Sequence, residues 1–196
     1  MRGNTVTSKE AKAMARATLS EKRYTHTVNV KKMAVKLAKR NGVEKEQAAL
    51  AAYLHDLAKE KPREELLQIM RDNAIMAEDA ALRPAPVWHG VCAAILAKTR
   101  WGVEDQAVLD AVACHTTGRP GMTTLDKVLF LADMTSAERD WPGVEKLRKL
   151  ALEDLDAAML AGLAQTISFV EQSGKPVDPM SAAAYADLKR AYGKTG

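Results

Sequence analysis

The chain contains four histidines, and each falls in a different segment of helical pattern. His26 lies early in one segment, His55 near the end of the next, His89 at the start of a third and His115 at the end of a fourth. Two carboxylates accompany them. Asp56 follows His55 directly, and Asp133 closes the apolar run Val128 to Ala132. Imidazole nitrogen and carboxylate oxygen together form a donor set for a divalent metal. Adjacent residues on a helix point about 100° apart, so His55 and Asp56 can reach one ion from a helix end. Lys59 stands four residues after His55 and three after Asp56, and so projects from the same side of a helix. An ammonium there would compensate the charge of a metal-bound phosphate. Burying Asp56 between Leu54 and Leu57 is costly without a partner, and a metal removes that cost.

Taken singly, each residue has a plain structural alternative. His26 suits a surface or capping position, and His89, after Trp88, suits a satisfied core position. His115 suits a helix end, where a cation favours the dipole. Asp133 suits a partly exposed helix terminus, and a lone His-Asp dipeptide is a weak motif. The order in which they occur carries the metal reading.

These residues must be positioned by helices. Hydrophobic residues make up 47% of the 196-residue chain and aromatics only 5%. Ala, Leu, Val, Lys and Glu dominate, a mixture that favours helix over strand. No stretch alternates cleanly between apolar and polar, so the expected fold is an all-α, single-domain bundle over 1–196 of about nine or ten helices, without a significant sheet. Thr7 with Glu10 reads as a capping box for the first helix. Ser20 caps the second, which stops at Gly42. The third is expected from about Glu44 to Lys59. Pro62 suits the first turn of a fourth. The segment Met76 to Pro86 is less regular. Pro86 opens a fifth helix, ending at Gly102. A sixth runs from about Glu104 to His115, and Thr123 or Thr124 caps a seventh. Further patterns cover Val144 to Ala151 and Asp154 to Gln172, and a C-terminal helix lies within 175–196.

Composition also bounds the function. The net charge is +4, from 29 basic and 25 acidic residues, spread along the chain. It fits an anionic small-molecule substrate, and solubility alone explains it equally well. A pI near 9.0 raises nucleic-acid binding, but no clustered basic helix face or interleaved aromatic set supports it. The two cysteines, Cys92 and Cys114, form no CxxC pattern and read as free thiols in a reducing compartment. No signal-peptide-like apolar stretch opens the sequence. Runs such as Val91 to Ala97 are too short to span a bilayer. The expected location is cytoplasmic, with no membrane partner and no nucleic-acid partner.

The ordered set His26, His55-Asp56, His89, His115, Asp133 resembles the HD superfamily of metal-dependent phosphohydrolases, in the subset that holds two metals. More narrowly, the chain is similar to the YqeK-type family of symmetrical bis(5'-nucleosyl)-tetraphosphatases. The matching stretches are Tyr24-Thr25-His26, Leu54 to Lys59, His89-Gly90, Trp101-Gly102-Val103, His115 to Gly118, Leu131-Ala132-Asp133 and Arg139 to Val144, within a core of about 20–170.

That resemblance implies that His26, His55, Asp56 and Asp133 hold one metal, and that Asp56 bridges to a second completed by His89 and His115. It implies two divalent ions, iron in this family, with manganese, zinc, cobalt or nickel also suited to the donors. Such a pair supplies hydroxide at neutral pH for in-line attack on phosphorus. The implied substrate is diadenosine tetraphosphate, split into two ADP. Lys59 and Asp56 are the catalytic candidates. Arg23, Lys59, Thr116, Thr117, Gly118 and Arg139 are the candidate substrate contacts, although Thr116 to Gly118 equally suit a helix stop and Arg139 a surface ion pair. A homodimer is compatible with the pattern. The competing readings are a hydrolase of other nucleotides and a non-catalytic nucleotide-binding regulatory module. One departure stands out: Ser136 and Ala137 occupy positions where the family carries glutamate and proline.

Overall fold

The computed structural model describes residues 6–73 and 83–192. Among the described residues there are ten α-helices and no strand. They are α1 (Ser8–Thr18), α2 (Glu21–Arg40), α3 (Lys45–Leu54), α4 (Arg63–Asp72), α5 (Trp88–Trp101), α6 (Gln106–Cys114), α7 (Thr124–Met134), α8 (Val144–Glu153), α9 (Leu155–Gln172) and α10 (Pro179–Tyr192), with a single 3-10 turn at Ala85–Val87 before α5. The less regular segment from Met76 falls largely outside the described residues.

Capping chemistry sets most of the boundaries. Thr7 and Glu10 form the expected capping box, as do Thr123 and Asp126 at the start of α7. Ser20 accepts from the Arg23 amide at the start of α2, and Asp154 accepts from two amides at the start of α9. Pro62 is the N-cap of α4 rather than a residue of its first turn.

The main correction concerns α3. The sequence pattern predicts helix to Lys59, but the helix ends at Leu54, and residues 55–60 form successive tight turns. Their amides bond three residues back: Leu57 to Leu54 O at 3.2 Å, Lys59 to Asp56 O at 2.9 Å and Lys61 to Ala58 O at 3.2 Å. Apolar periodicity continues through Leu57 and Ala58, which are buried, so the pattern alone cannot register the tightening.

Helices α2, α3, α6 and α7 close a ring in which each packs against the next, and α5 packs outside it against α6 and α3. Small side chains permit the close approach: Ala48, Ala51, Ala52, Ala93, Ala94, Ala97 and Ala111 are all buried. Leu37, Leu54, Leu129 and Leu131 fill the interior, and truncating such a leucine to alanine typically costs about 2–5 kcal/mol. The start of α2 is tied to the turns after α3, because the Ser20 amide and hydroxyl donate to Glu60 at 2.8 and 2.5 Å. Beyond α7, the Arg148 guanidinium donates to the carbonyls of Thr135, Ser136 and Arg139. This fixes the loop that follows Asp133.

Candidate metal centre

The ring of helices gathers its ligand-type residues at one end. His26 comes from the second turn of α2, His55 and Asp56 from the end of α3, His115 from the end of α6 and Asp133 from the last turn of α7, while α5 adds His89. All of the histidines and Asp56 are buried. Three trios, His26-His55-Asp56, His55-His115-Asp133 and Asp56-His89-His115, each place their donor atoms within 4.8 Å of one another. The structure therefore brings together every residue of the expected ligand set.

Local structure fixes the tautomers. Nδ1 of His55 lies 2.7 Å from Ala52 O, that of His115 lies 2.7 Å from Val112 O, and that of His89 lies 3.0 Å from Pro86 O. Each carbonyl is three residues back, at a helix end or 3-10 turn. A carbonyl only accepts, so a proton on each Nδ1 satisfies it, and each ring turns its Nε2 inward. The Nε2 atoms of His89 and His115 face each other at 3.2 Å. Those of His26 and His55 are buried without a hydrogen-bond partner. Converging, unpaired nitrogen lone pairs beside carboxylates are unfavourable by themselves and fit divalent cations.

Asp56 sits between the two halves of this cluster. Its Oδ2 is 3.6 Å from His26 Nε2 and 3.4 Å from His55 Nε2, while its Oδ1 is 3.3 Å from His89 Nε2 and 3.9 Å from His115 Nε2. Asp133 Oδ1 approaches His26 Nε2 at 3.2 Å. Burial works against the charged form of Asp56, but His55, His89 and His115 outweigh it and hold the carboxyl well below its ordinary range. Asp133 is likewise lowered: burial opposes ionisation, and the hydrogen bond from His26 with the charges of His55 and Arg139 overcomes it. Burial, reinforced by His55 and His89, pushes His115 down to about 3, so it is a neutral donor at physiological pH.

Glu138 was not identified from sequence. Its Oε1 contacts Nδ1 of His26 and accepts from Ser136 Oγ at 2.7 Å, and its Oε2 accepts from Asn29 Nδ2 at 2.9 Å. The only hint lay in the departure at Ser136, whose short side chain holds a glutamate carried two residues later.

Three cations rim the cluster. Arg23 Nη1 donates to Asp56 Oδ2 at 2.9 Å. Arg139 donates to Asp133 through Nη2 to Oδ1 at 2.5 Å and Nε to the carbonyl at 3.0 Å. Lys59 Nζ lies 3.4 and 3.5 Å from the ring nitrogens of His89, and burial lowers its pKa. The tight turns after α3, rather than a continuous helix, place it there. The hydroxyl of Thr116 is buried without a hydrogen-bond partner. Thr117 Oγ1 donates to Gly118 O at 2.9 Å, and the Thr117 and Gly118 amides bond to Cys114 O at 3.1 and 2.8 Å. Gly118, at φ +67°, also packs against Ala184 and Met122. These bonds help to end α6.

Gly90 explains how His89 reaches His115. A Cβ at this position would lie 3.0 Å from Ala113 O, 3.2 Å from Val112 O and 3.2 Å from His115 Nδ1. Only a residue without a side chain lets α5 lie this close to the end of α6.

Cys92 and Cys114 are free and buried. No described helix is long and apolar enough to cross a membrane.

Comparison with known proteins agrees with this geometry. The HD domain family profile matches residues 23–138. The chain is 41% identical to the symmetrical bis(5'-nucleosyl)-tetraphosphatase of Bacillus subtilis, over 87% of this chain and 91% of that protein. It is 38% identical to the protein of the same name from Halalkalibacterium halodurans, over 87% and 90%. A crystal structure described as a predicted HD superfamily hydrolase involved in NAD metabolism, from Clostridium acetobutylicum, superposes with a TM-score of 0.90 at 34% identity, covering 96% of this chain and all of that one. The chain belongs to the HD domain family, among the relatives of the symmetrical bis(5'-nucleosyl)-tetraphosphatases.

Proposed function

We propose that this protein is a two-metal hydrolase that splits diadenosine tetraphosphate symmetrically into two ADP. The observation that carries the reading is Asp56, whose two oxygens face two different pairs of imidazole Nε2 atoms. In this reading Asp56, His26, His55 and Asp133 would hold one ion, and Asp56, His89 and His115 would hold the other. The names of the Bacillus and Halalkalibacterium relatives supply the substrate class.

Two divalent ions bound there would supply charge neutralisation on phosphate oxygens and activation of water at neutral pH. The reaction adds water across the central P–O–P anhydride, and the leaving group is an ADP oxygen. Lys59, buried beside His89, stabilises charge on the phosphates without acting as a ligand, because an ammonium has no lone pair. Arg23 and Arg139 offer guanidinium forks at the rim for the outer phosphates. Iron is the proposed resident metal and the cytoplasm the proposed location. A homodimer remains compatible with this reading.

The test is turnover on a nucleotide panel with each candidate metal. Diadenosine tetraphosphate should be cleaved with the highest kcat/KM. Preference for mononucleotides or cyclic dinucleotides would make the chain a different nucleotide hydrolase. Nucleotide binding without turnover under any metal would make it a regulatory module.

A further inference from the structure

Helix α8 carries none of the six ligand-type residues, yet one of its side chains is built into the loop beside them. A helix end leaves carbonyls without intrahelical partners. Past Met134, the last residue of α7, the chain turns through Thr135 and Ser136, both buried. The Arg148 guanidinium donates from Nε to Thr135 O at 2.9 Å, and from Nη2 to Ser136 O at 3.1 Å and Arg139 O at 3.3 Å. Its Nη1 pairs with Glu145, so its charge is met on its own helix. The Arg148 side chain is only 18% exposed. A planar guanidinium presents five N–H donors in a fixed fork, and three carbonyls of one loop converge on this one.

The same loop meets the metal centre with two charged side chains. Glu138 contacts Nδ1 of His26, and Arg139 donates to Oδ1 and the carbonyl of Asp133. Ser136 joins the two sides of the loop. Its carbonyl accepts from Arg148 and from the Arg139 amide at 3.0 Å, and its hydroxyl donates to Glu138 Oε1 at 2.7 Å. A continuous chain of polar contacts therefore runs from His26 through Glu138 and Ser136 to Arg148. The other Glu138 oxygen accepts from Asn29 on α2, so the carboxylate is held from both helices that flank it.

We propose that Arg148 is a positioning residue for the metal centre: by gripping the carbonyls of Thr135, Ser136 and Arg139 it sets the Glu138 carboxylate against His26. It acts through Glu138 and not by contact with an ion or a phosphate. A carboxylate behind a ligating imidazole fixes the ring and raises its basicity, and it can do so only from a backbone that is itself fixed. Lysine is no substitute at this position, because an ammonium is a point charge without the planar fork. The proposal rests on the two-metal reading of the site.

The test is a calorimetric titration of the full-length protein with manganese(II), with Tm measured for each variant. Arg148→Lys keeps the charge and much of the stem but loses the fork. It should weaken metal binding by about tenfold, the lower end of the range for groups that support a ligand. Glu138→Gln should weaken it at least as much. Because the two residues act in series, adding Arg148→Lys to Glu138→Gln should bring less than about a further twofold loss. Glu145→Gln leaves the carbonyl bonds in place and should leave metal affinity unchanged. Losses that multiply in the double variant would overturn the proposal, since Arg148 would then act independently of Glu138. Unchanged affinity in Arg148→Lys would overturn it too, as would an equal loss in Glu145→Gln, which would make the charge of α8 the cause. Should Arg148→Lys fail to fold, Arg148→Gln still offers amide donors to the loop and carries the same expectation. Failure of both to fold would overturn the local role by making Arg148 a brace of the whole fold. Wild-type protein that binds no divalent metal would overturn the two-metal reading and the positioning role with it.

Discussion

The Glu138 carboxylate closes on Nδ1 of His26 from the loop after α7, whereas His55, His89 and His115 rest their Nδ1 groups on backbone carbonyls. A carboxylate behind an imidazole makes the opposite nitrogen a stronger donor and fixes the ring. Glu138→Gln keeps the shape and removes the charge. It should lower metal affinity by about 10–100-fold with little change in Tm, and Glu138→Asp should recover part of it. A metal titration of the three proteins checks this; equal affinity in all three would mean that Glu138 is only a surface partner of Asn29 and Ser136.

Gly90 is where α5 meets the end of α6. Gly90→Ala places a methyl against Ala113 O and His115 Nδ1 and forces the helices apart, at a cost of about 1–3 kcal/mol. The separation of His89 from His115 should weaken the metal that they share more than the one held by His26, His55 and Asp133. Elemental analysis should show about one ion lost per chain, on the two-ion account of such sites, alongside a lower Tm.

Lys59 tests the difference between binding metal and using it. Lys59→Met keeps much of the length and removes the charge. If the ammonium stabilises phosphate charge in the transition state, metal content is retained and kcat falls by about 10²–10³. If Lys59 only braces the turns after α3, kcat stays near wild type and Tm falls slightly.

Burial pushes the thiols of Cys92 and Cys114 up from an ordinary 9.0 to about 12. A raised thiol pKa means that the folded state favours the neutral form. The resulting stabilisation is complete below the unfolded value and is lost as the pH rises from about 9 toward 12. Native protein at pH 8 should therefore resist a thiol-specific chromogenic reagent, and both thiols should react once the chain is unfolded.

Much of this site was readable in the sequence because its ligands are anchored by local signals. Ser20 caps the helix of His26, Thr123 caps the helix of Asp133, and the apolar runs around His55 and Asp133 mark buried faces. The early end of α3 was not readable, because Leu57 and Ala58 keep the apolar period through turns that are no longer helical. Glu138 reaches His26 across 112 positions, and no local spacing encodes such a pairing. The engagement of Thr117 and Gly118 in the end of α6 depends on which carbonyls lie free there, and that follows only from the fold.

A two-metal centre that shares Asp56 would cleave the tetraphosphate in the middle. The direct measurement is chromatography of the nucleotide products from diadenosine tetraphosphate, run with elemental analysis of the same wild-type and Asp56→Ala samples. Wild type should give ADP as its sole product, and Asp56→Ala should lose both activity and more than about half of the metal, since one carboxylate serves both ions. Equal amounts of ATP and AMP from the wild type, or full retention of two ions by Asp56→Ala, would contradict it.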